Sequence, residues 1–155
     1  MKITYCDKWS ILKKGPWNLI DKAKARENHT GRIPYTAIIQ DNYDNVTHVI
    51  EITDKYLLVN FMNKFTSPYL CYNFIVKDSD NIFLSAAYCT SYDEKSNREL
   101  LLMNVSFKEN GDVVMERRDL VTGDVDEREN KMDPKRNWDK YPEFGSYNHL
   151  LVEER

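Results

Sequence analysis

Between Tyr35 and Leu120 the chain alternates short apolar runs with clusters of turn-forming residues, and this rhythm restricts its fold more than any other feature. Tyr56–Met62, Tyr69–Val76, Ile82–Tyr88 and Leu100–Phe107 are runs of 7 or 8 residues. They are too short for typical helices and rich in the aromatic and β-branched side chains that fit a pleated surface. Thr53-Asp54-Lys55, Lys77 to Asn81, Asp93 to Asn97 and Glu109 to Asp112 separate them. Asp, Asn, Ser and Gly tolerate turn dihedrals and bond their own backbone, so each cluster reads as a turn between antiparallel strands. Asn110-Gly111 is the strongest hairpin signal, because both residues accept the positive φ of a type I′ turn.

The flanks extend the pattern. Ile3 to Cys6 reads as a first edge strand, and Asn18 to Glu27 as a short helix. There Trp17, Ile20 and Ala23 fall at i, i+3 and i+6, with Lys22 and Arg26 elsewhere on the surface. Asn28-His29-Thr30-Gly31 supplies the helix stop. Pro34 opens the next strand, Tyr35 to Gln40, where a missing N–H is tolerated. Val46 to Thr53 follows, with Val46, His48, Ile50 and Ile52 on one face. Val113 to Leu120 sets Val113, Met115, Arg117 and Asp119 against Val114, Glu116, Arg118 and Leu120. Val121 to Asp124 is a further turn, and Val125 to Glu129 a short charged strand of the kind that blocks edge-to-edge aggregation. The tail from Met132 carries Trp138, Tyr141, Phe144 and Tyr147 among prolines and a glycine, then Leu150 to Val152. It reads as a loop pinned by aromatics across the sheet, ending in a short helix.

These elements predict a single mainly β (α+β) domain over residues 1–155. The expected architecture is a curved antiparallel β-meander or partly closed barrel of seven to nine strands, with one N-terminal helix and a short C-terminal helix. At 155 residues the chain is long enough to bury about two-thirds of its unfolded surface in one core. No apolar run reaches the roughly 20 residues of a membrane span, and the start lacks an apolar signal core. A cytoplasmic protein with no membrane partner is expected. Cys6, Cys71 and Cys89 lack C-x-x-C spacing and read as buried reduced thiols, with a Cys71–Cys89 bridge between neighbouring strands as the alternative.

Catalytic inventories come up nearly empty. His29, His48 and His149 show no metal-ligand spacing, no glycine-rich phosphate loop is present, and there is no G-x-S-x-G. Paired carboxylates (Asp78/Asp80, Asp124/Asp126, Glu127/Glu129) sit in turns or polar strands, where solvation is the default. The chain therefore reads as a non-enzyme without cofactor or metal. Its net charge of −3 hides an asymmetry: residues 1–40 balance at +5 and residues 41–155 at −8. An acidic body disfavours nucleic-acid binding, which depends on phosphate contacts. Glu116, Asp119, Asp124, Asp126, Glu127 and Glu129 form the densest acidic stretch. It is either a solvated edge or a surface complementary to a basic protein.

The stretch Trp138-Asp139-Lys140-Tyr141-Pro142-Glu143-Phe144-Gly145-Ser146-Tyr147, in a small acidic sheet-rich chain without catalytic signature, resembles the ending of one group of immunity proteins from bacterial contact-dependent inhibition and related polymorphic toxin systems. The resemblance covers under a tenth of the chain. It implies neutralising 1:1 binding to a cognate toxin domain, often a nuclease, by a protein that is monomeric when free. On that reading the acidic stretch, with Trp138 and Tyr141, is the partner-binding surface. A second resemblance is to lipocalin-like barrels: Gly15-Pro16-Trp17 is similar to their G-x-W, and Thr53-Asp54-Lys55-Tyr56 to their T-D motif. It implies an up-and-down barrel that binds a small hydrophobic ligand.

Overall fold

The computed structural model describes residues 1–155. In chain order its elements are β1 (Lys2–Ser10), β2 (Gly15–Ile20), α1 (Lys22–Gly31), β3 (Tyr35–Gln40), β4 (Val46–Ile52), β5 (Tyr56–Met62), β6 (Pro68–Val76), β7 (Asn81–Tyr92), β8 (Glu99–Phe107), β9 (Asp112–Asp119), β10 (Val125–Lys131) and β11 (Trp138–Lys140). Single 3₁₀ turns, Pro134–Asn137 and Asn148–Leu150, punctuate the tail. No helix is long and apolar enough to cross a membrane.

All 11 strands join one antiparallel sheet in the order β10-β9-β8-β7-β6-β5-β4-β3-β1-β2, with β11 pairing β7 off this path. From β3 to β10 every strand pairs with the next, because short turns return each strand beside its predecessor. β7 is 12 residues long and has two partners on one side. β8 pairs with Ala86 to Tyr92, and β11 with Asn81 to Phe83.

The meander is as expected, but the sheet is open. Its terminal strands β10 and β2 do not meet, so it is not a barrel, and there are 11 strands rather than seven to nine. The barrel implied by the lipocalin resemblance is corrected by this topology. The inner face is filled by side chains, with Ile39, Ile50, Val59, Phe61, Phe74 and Ile82 among its fully buried residues. Tyr147 and Leu150 from the tail cap that face, as the aromatic tail predicted. The expected C-terminal helix is only the 3₁₀ turn Asn148–Leu150.

The N-terminal region departs furthest from expectation. Trp17 and Ile20 lie on β2, paired with Lys8 and Tyr5, not on a helix. Asn18 has φ 49, which no helix interior accepts, and long pairing with β1 outweighs a three-residue apolar periodicity. The helix begins at Asp21, whose carboxylate accepts the Lys24 N–H at 2.7 Å as an N-cap. It runs through Gly31, and Arg32 in the left-handed region (φ 55) closes it. β1 is an interior strand, with β2 at the edge.

β1 pairs with β3 only from Lys2 to Cys6; beyond that it pairs with β2 alone. The β1–β2 hairpin then leaves the sheet plane and crosses the outer face. Trp9 packs there on Cys6, Ile38, Val49 and Met62 as a second, smaller core. Lys14 Nζ reaches the Phe65 carbonyl in the β5–β6 turn at 2.7 Å. The flap covers the outer face over β3–β5, while Tyr88 on β7, Asn104 and Ser106 on β8 and all of β10 stay exposed.

Candidate functional site

Side chains alternate across a strand, and registered partners share a face, so the pairing assigns every strand residue to the inner or the outer face. Cys71, Tyr88, Asn104, Glu116 and Glu127 form one outer row across β6–β10. The neighbouring outer row runs Asn73, Ala86, Ser106, Val114, Glu129. A third row, Tyr56, Ile75, Phe83, Trp138, closes this surface on the β11 side. Tyr56, Ile75, Tyr88 and Trp138 are each 39–42% exposed, and all seven residues of β10 are exposed. The outer half-sheet is therefore a broad surface of separated aromatic and aliphatic side chains grading into carboxylates.

The acidic stretch is divided by the pleat. Glu116, Glu127 and Glu129 stand on the outer face. Glu116 lies 3.6 Å from Arg118, while Glu127 and Glu129 form no ion pair. Asp126 faces the inner side, held by Arg128 Nε at 3.1 Å. Asp119 accepts the Val121 and Thr122 N–H groups at 2.9 and 3.0 Å, and these backbone bonds hold its carboxyl below the usual range. Asp124 accepts the Thr122 hydroxyl at 2.8 Å in the same turn. Asp119 and Asp124 thus shape the β9–β10 turn.

The two aromatic candidates also separate. Trp138 packs edge-on against Phe83 (centroids 5.1 Å apart) and keeps part of its surface on the outer face. Tyr141 lies on the inner side with the Arg32 guanidinium 3.6 Å above its ring and His29 5.5 Å away.

That inner cluster was not legible as a site in the sequence. His29 Nδ1 stands 2.8 Å from Tyr35 Oη, which stands 3.1 Å from Tyr147 Oη. Burial is the main cause that lowers the His29 pKa, with Arg32 adding to it, and burial raises the hydroxyls of Tyr35 and Tyr147. The cluster ties helix, sheet and tail together. Its only foreshadowing was the aromatic density of the tail.

The remaining reactive groups are scattered. His48 meets Thr47 Oγ1 at 3.0 Å and packs edge-on to Phe61; His149 Nε2 meets the Lys140 carbonyl at 3.1 Å. The cysteines are free. Cys71 registers with Tyr88 and Cys89 with Leu70, which sets the two thiols on opposite faces and rules out the bridge. Burial pushes Cys6 up to about 11 and Cys71 to about 12, so neither is an activated thiolate. No group of three His, Cys, Asp or Glu has metal-holding geometry. No family model, curated protein or solved structure matches the chain.

Proposed function

We propose that the chain is a bacterial immunity protein that binds one copy of a cognate toxin domain in the cytoplasm and neutralises it without turnover. The uncovered outer face of β6–β10 is the binding surface. One observation carries this reading: unpaired Glu127 and Glu129, with Glu116, share a face with exposed Tyr88, Ile75 and Trp138. Aromatic anchors beside unpaired carboxylates suit a basic protein partner, the aromatics supplying buried area and the charges selecting the partner and speeding encounter. A nuclease that must hold nucleic acid presents such a basic surface, and the carboxylates then stand where phosphates would. Free thiols suit a reducing compartment.

The test is growth rescue. The chain is co-expressed with the toxin domain encoded directly upstream of its own gene, and binding of the purified pair is measured. Rescue with 1:1 binding supports the reading. Failure of a folded chain either to bind or to protect against that domain removes it.

A further inference from the structure

The β1–β2 flap carries the most exposed apolar side chain outside the termini. Leu12, at its tip, is 97% exposed, and Ile11 and Trp17 are each more than half exposed. Leu12 buries almost none of its surface in the fold, and three apolar side chains gathered on one hairpin cost hydration. Around them stand Lys13 and Lys14 on the flap and Lys64 on the adjoining β5–β6 turn, and none of the three pairs with a carboxylate. The arrangement is tertiary. Lys14 Nζ bonds the Phe65 carbonyl at 2.7 Å, joining turns 51 residues apart, and Lys13 Nζ lies 5.5 Å from the Trp17 ring centroid.

We infer that the flap tip is a peripheral docking site for an anionic lipid surface, with Leu12, Ile11 and Trp17 entering the headgroup boundary and the lysines facing lipid phosphates. Charge complementarity selects this occupant. A small apolar tip ringed by unpaired ammonium groups matches an interface in which both anions and hydrocarbon lie within one side-chain length. A second copy could pair these lysines with carboxylates on its acidic strand β10, but that strand is charged and exposed along its whole length and gives Leu12 no apolar contact there. The lack of a spanning segment, which suggested no membrane partner, does not bear on a hairpin that lies on the surface. The inference stands apart from the outer-face carboxylates, which lie at the far end of the sheet.

The experiment is co-sedimentation of the full chain with two vesicle preparations, pure phosphatidylcholine and phosphatidylcholine with roughly one-third phosphatidylglycerol. Binding to the anionic vesicles alone, weakened by high salt, is expected. Leu12→Asp should weaken it about tenfold or more by removing the inserted side chain. Lys13→Glu with Lys14→Glu should weaken it at least about 25-fold, near fivefold for each lysine lost. Val125→Asp, an exposed apolar residue on β10, should leave it unchanged, with near-ultraviolet circular dichroism confirming the fold of each variant. Absence of binding to the anionic vesicles, equal binding to both preparations, or equal loss in the Val125→Asp control would overturn the inference. So would a tip-dependent dimer of the chain without vesicle binding.

Discussion

Glu127 stands directly across from Glu116 on the outer face of the β9–β10 pair. The neighbouring Asp119–Asp124 position exchanges a main-chain bond (Asp119 N to Asp124 O, 2.9 Å). By alternation, Glu116 and Glu127 occupy a non-hydrogen-bonded position, where side chains approach most closely. Like charges placed so are destabilising. Nothing in the fold requires two glutamates there, which is why this pair anchors the functional reading.

Glu127→Lys should therefore stabilise the free protein, by about 0.2–1 kcal/mol, by turning a repulsive cross-strand pair into an attractive one. The same change should slow association with a basic partner, and the slowing should shrink as salt screens the field. Asp126→Lys, one residue away on the opposite face, should leave association nearly unchanged. Denaturant melts and stopped-flow binding at two salt concentrations read both effects. Equal slowing by the two variants would remove the outer face as the recognition surface.

Acid should weaken the fold in two separate windows. His29 and His48 both have folded pKa values below 6.5, chiefly through burial. The unfolded chain takes up these protons near 6.5 and the folded chain only at lower pH. The stability they contribute is thus full above about pH 6.5 and is lost as pH falls through the folded values. Asp41, Asp78, Asp93, Asp112 and Asp119, lowered mainly by hydrogen bonds, lose their contribution only below 3.8. The urea midpoint should hold steady from pH 8 to about 7 and fall in a second interval below about 6.5, less so in His48→Gln. A midpoint that does not move across the second interval contradicts the assignment of both imidazoles as buried and neutral.

Tyr35→Phe removes the hydroxyl that bridges His29 Nδ1 and Tyr147 Oη, leaving two buried polar atoms without their partner. A cost of about 1–3 kcal/mol is expected. Tyr147→Phe should cost less, since it leaves the His29–Tyr35 bond in place, and the double variant should cost less than the sum of the two. Additive losses in thermal melts would mean that the three groups do not act as one network.

Gly111→Ala should be among the most damaging small substitutions. Gly111 has φ +93, and a Cβ there would lie 2.5 Å from the Met132 carbonyl oxygen. That carbonyl belongs to the residue directly after β10, and the Met132 N–H in turn bonds the Gly111 carbonyl at 2.9 Å. Neither backbone yields cheaply, so a loss of about 1–3 kcal/mol is expected. A melt within experimental error of the parent would show that the turn relaxes freely.

The sequence by itself determined the strands from β3 to β10 and their succession. Period-2 patterning and turn chemistry are local properties, and short connections leave each strand little choice but to pair with the one before it. Even the division of β9 into Glu116 and Arg118 against Arg117 and Asp119 followed from alternation alone. Local signals are overridden where strand pairing or loop geometry competes with them. Asn110-Gly111 predicted a type I′ turn, but only Gly111 takes positive φ; Gly111 N bonds the Lys108 carbonyl at 3.0 Å, giving a three-residue loop. Trp17 and Ile20 predicted a helix face, and pairing with β1 made them a strand.

Only the tertiary structure decided the rest. Whether a meander closes depends on twist and shear summed over all its strands and on what covers its faces, and no window of residues contains that sum. The folding of the β1–β2 flap across Ile38, Val49 and Met62 left one half of the outer face bare and buried the other. The joining of His29, Tyr35 and Tyr147, the two tyrosines 112 positions apart, awaited the return of the tail over the inner face. Strand identity is written in nearest neighbours; the choice of which face stays open is made by segments distant in the chain, each burying apolar area that it could not bury alone.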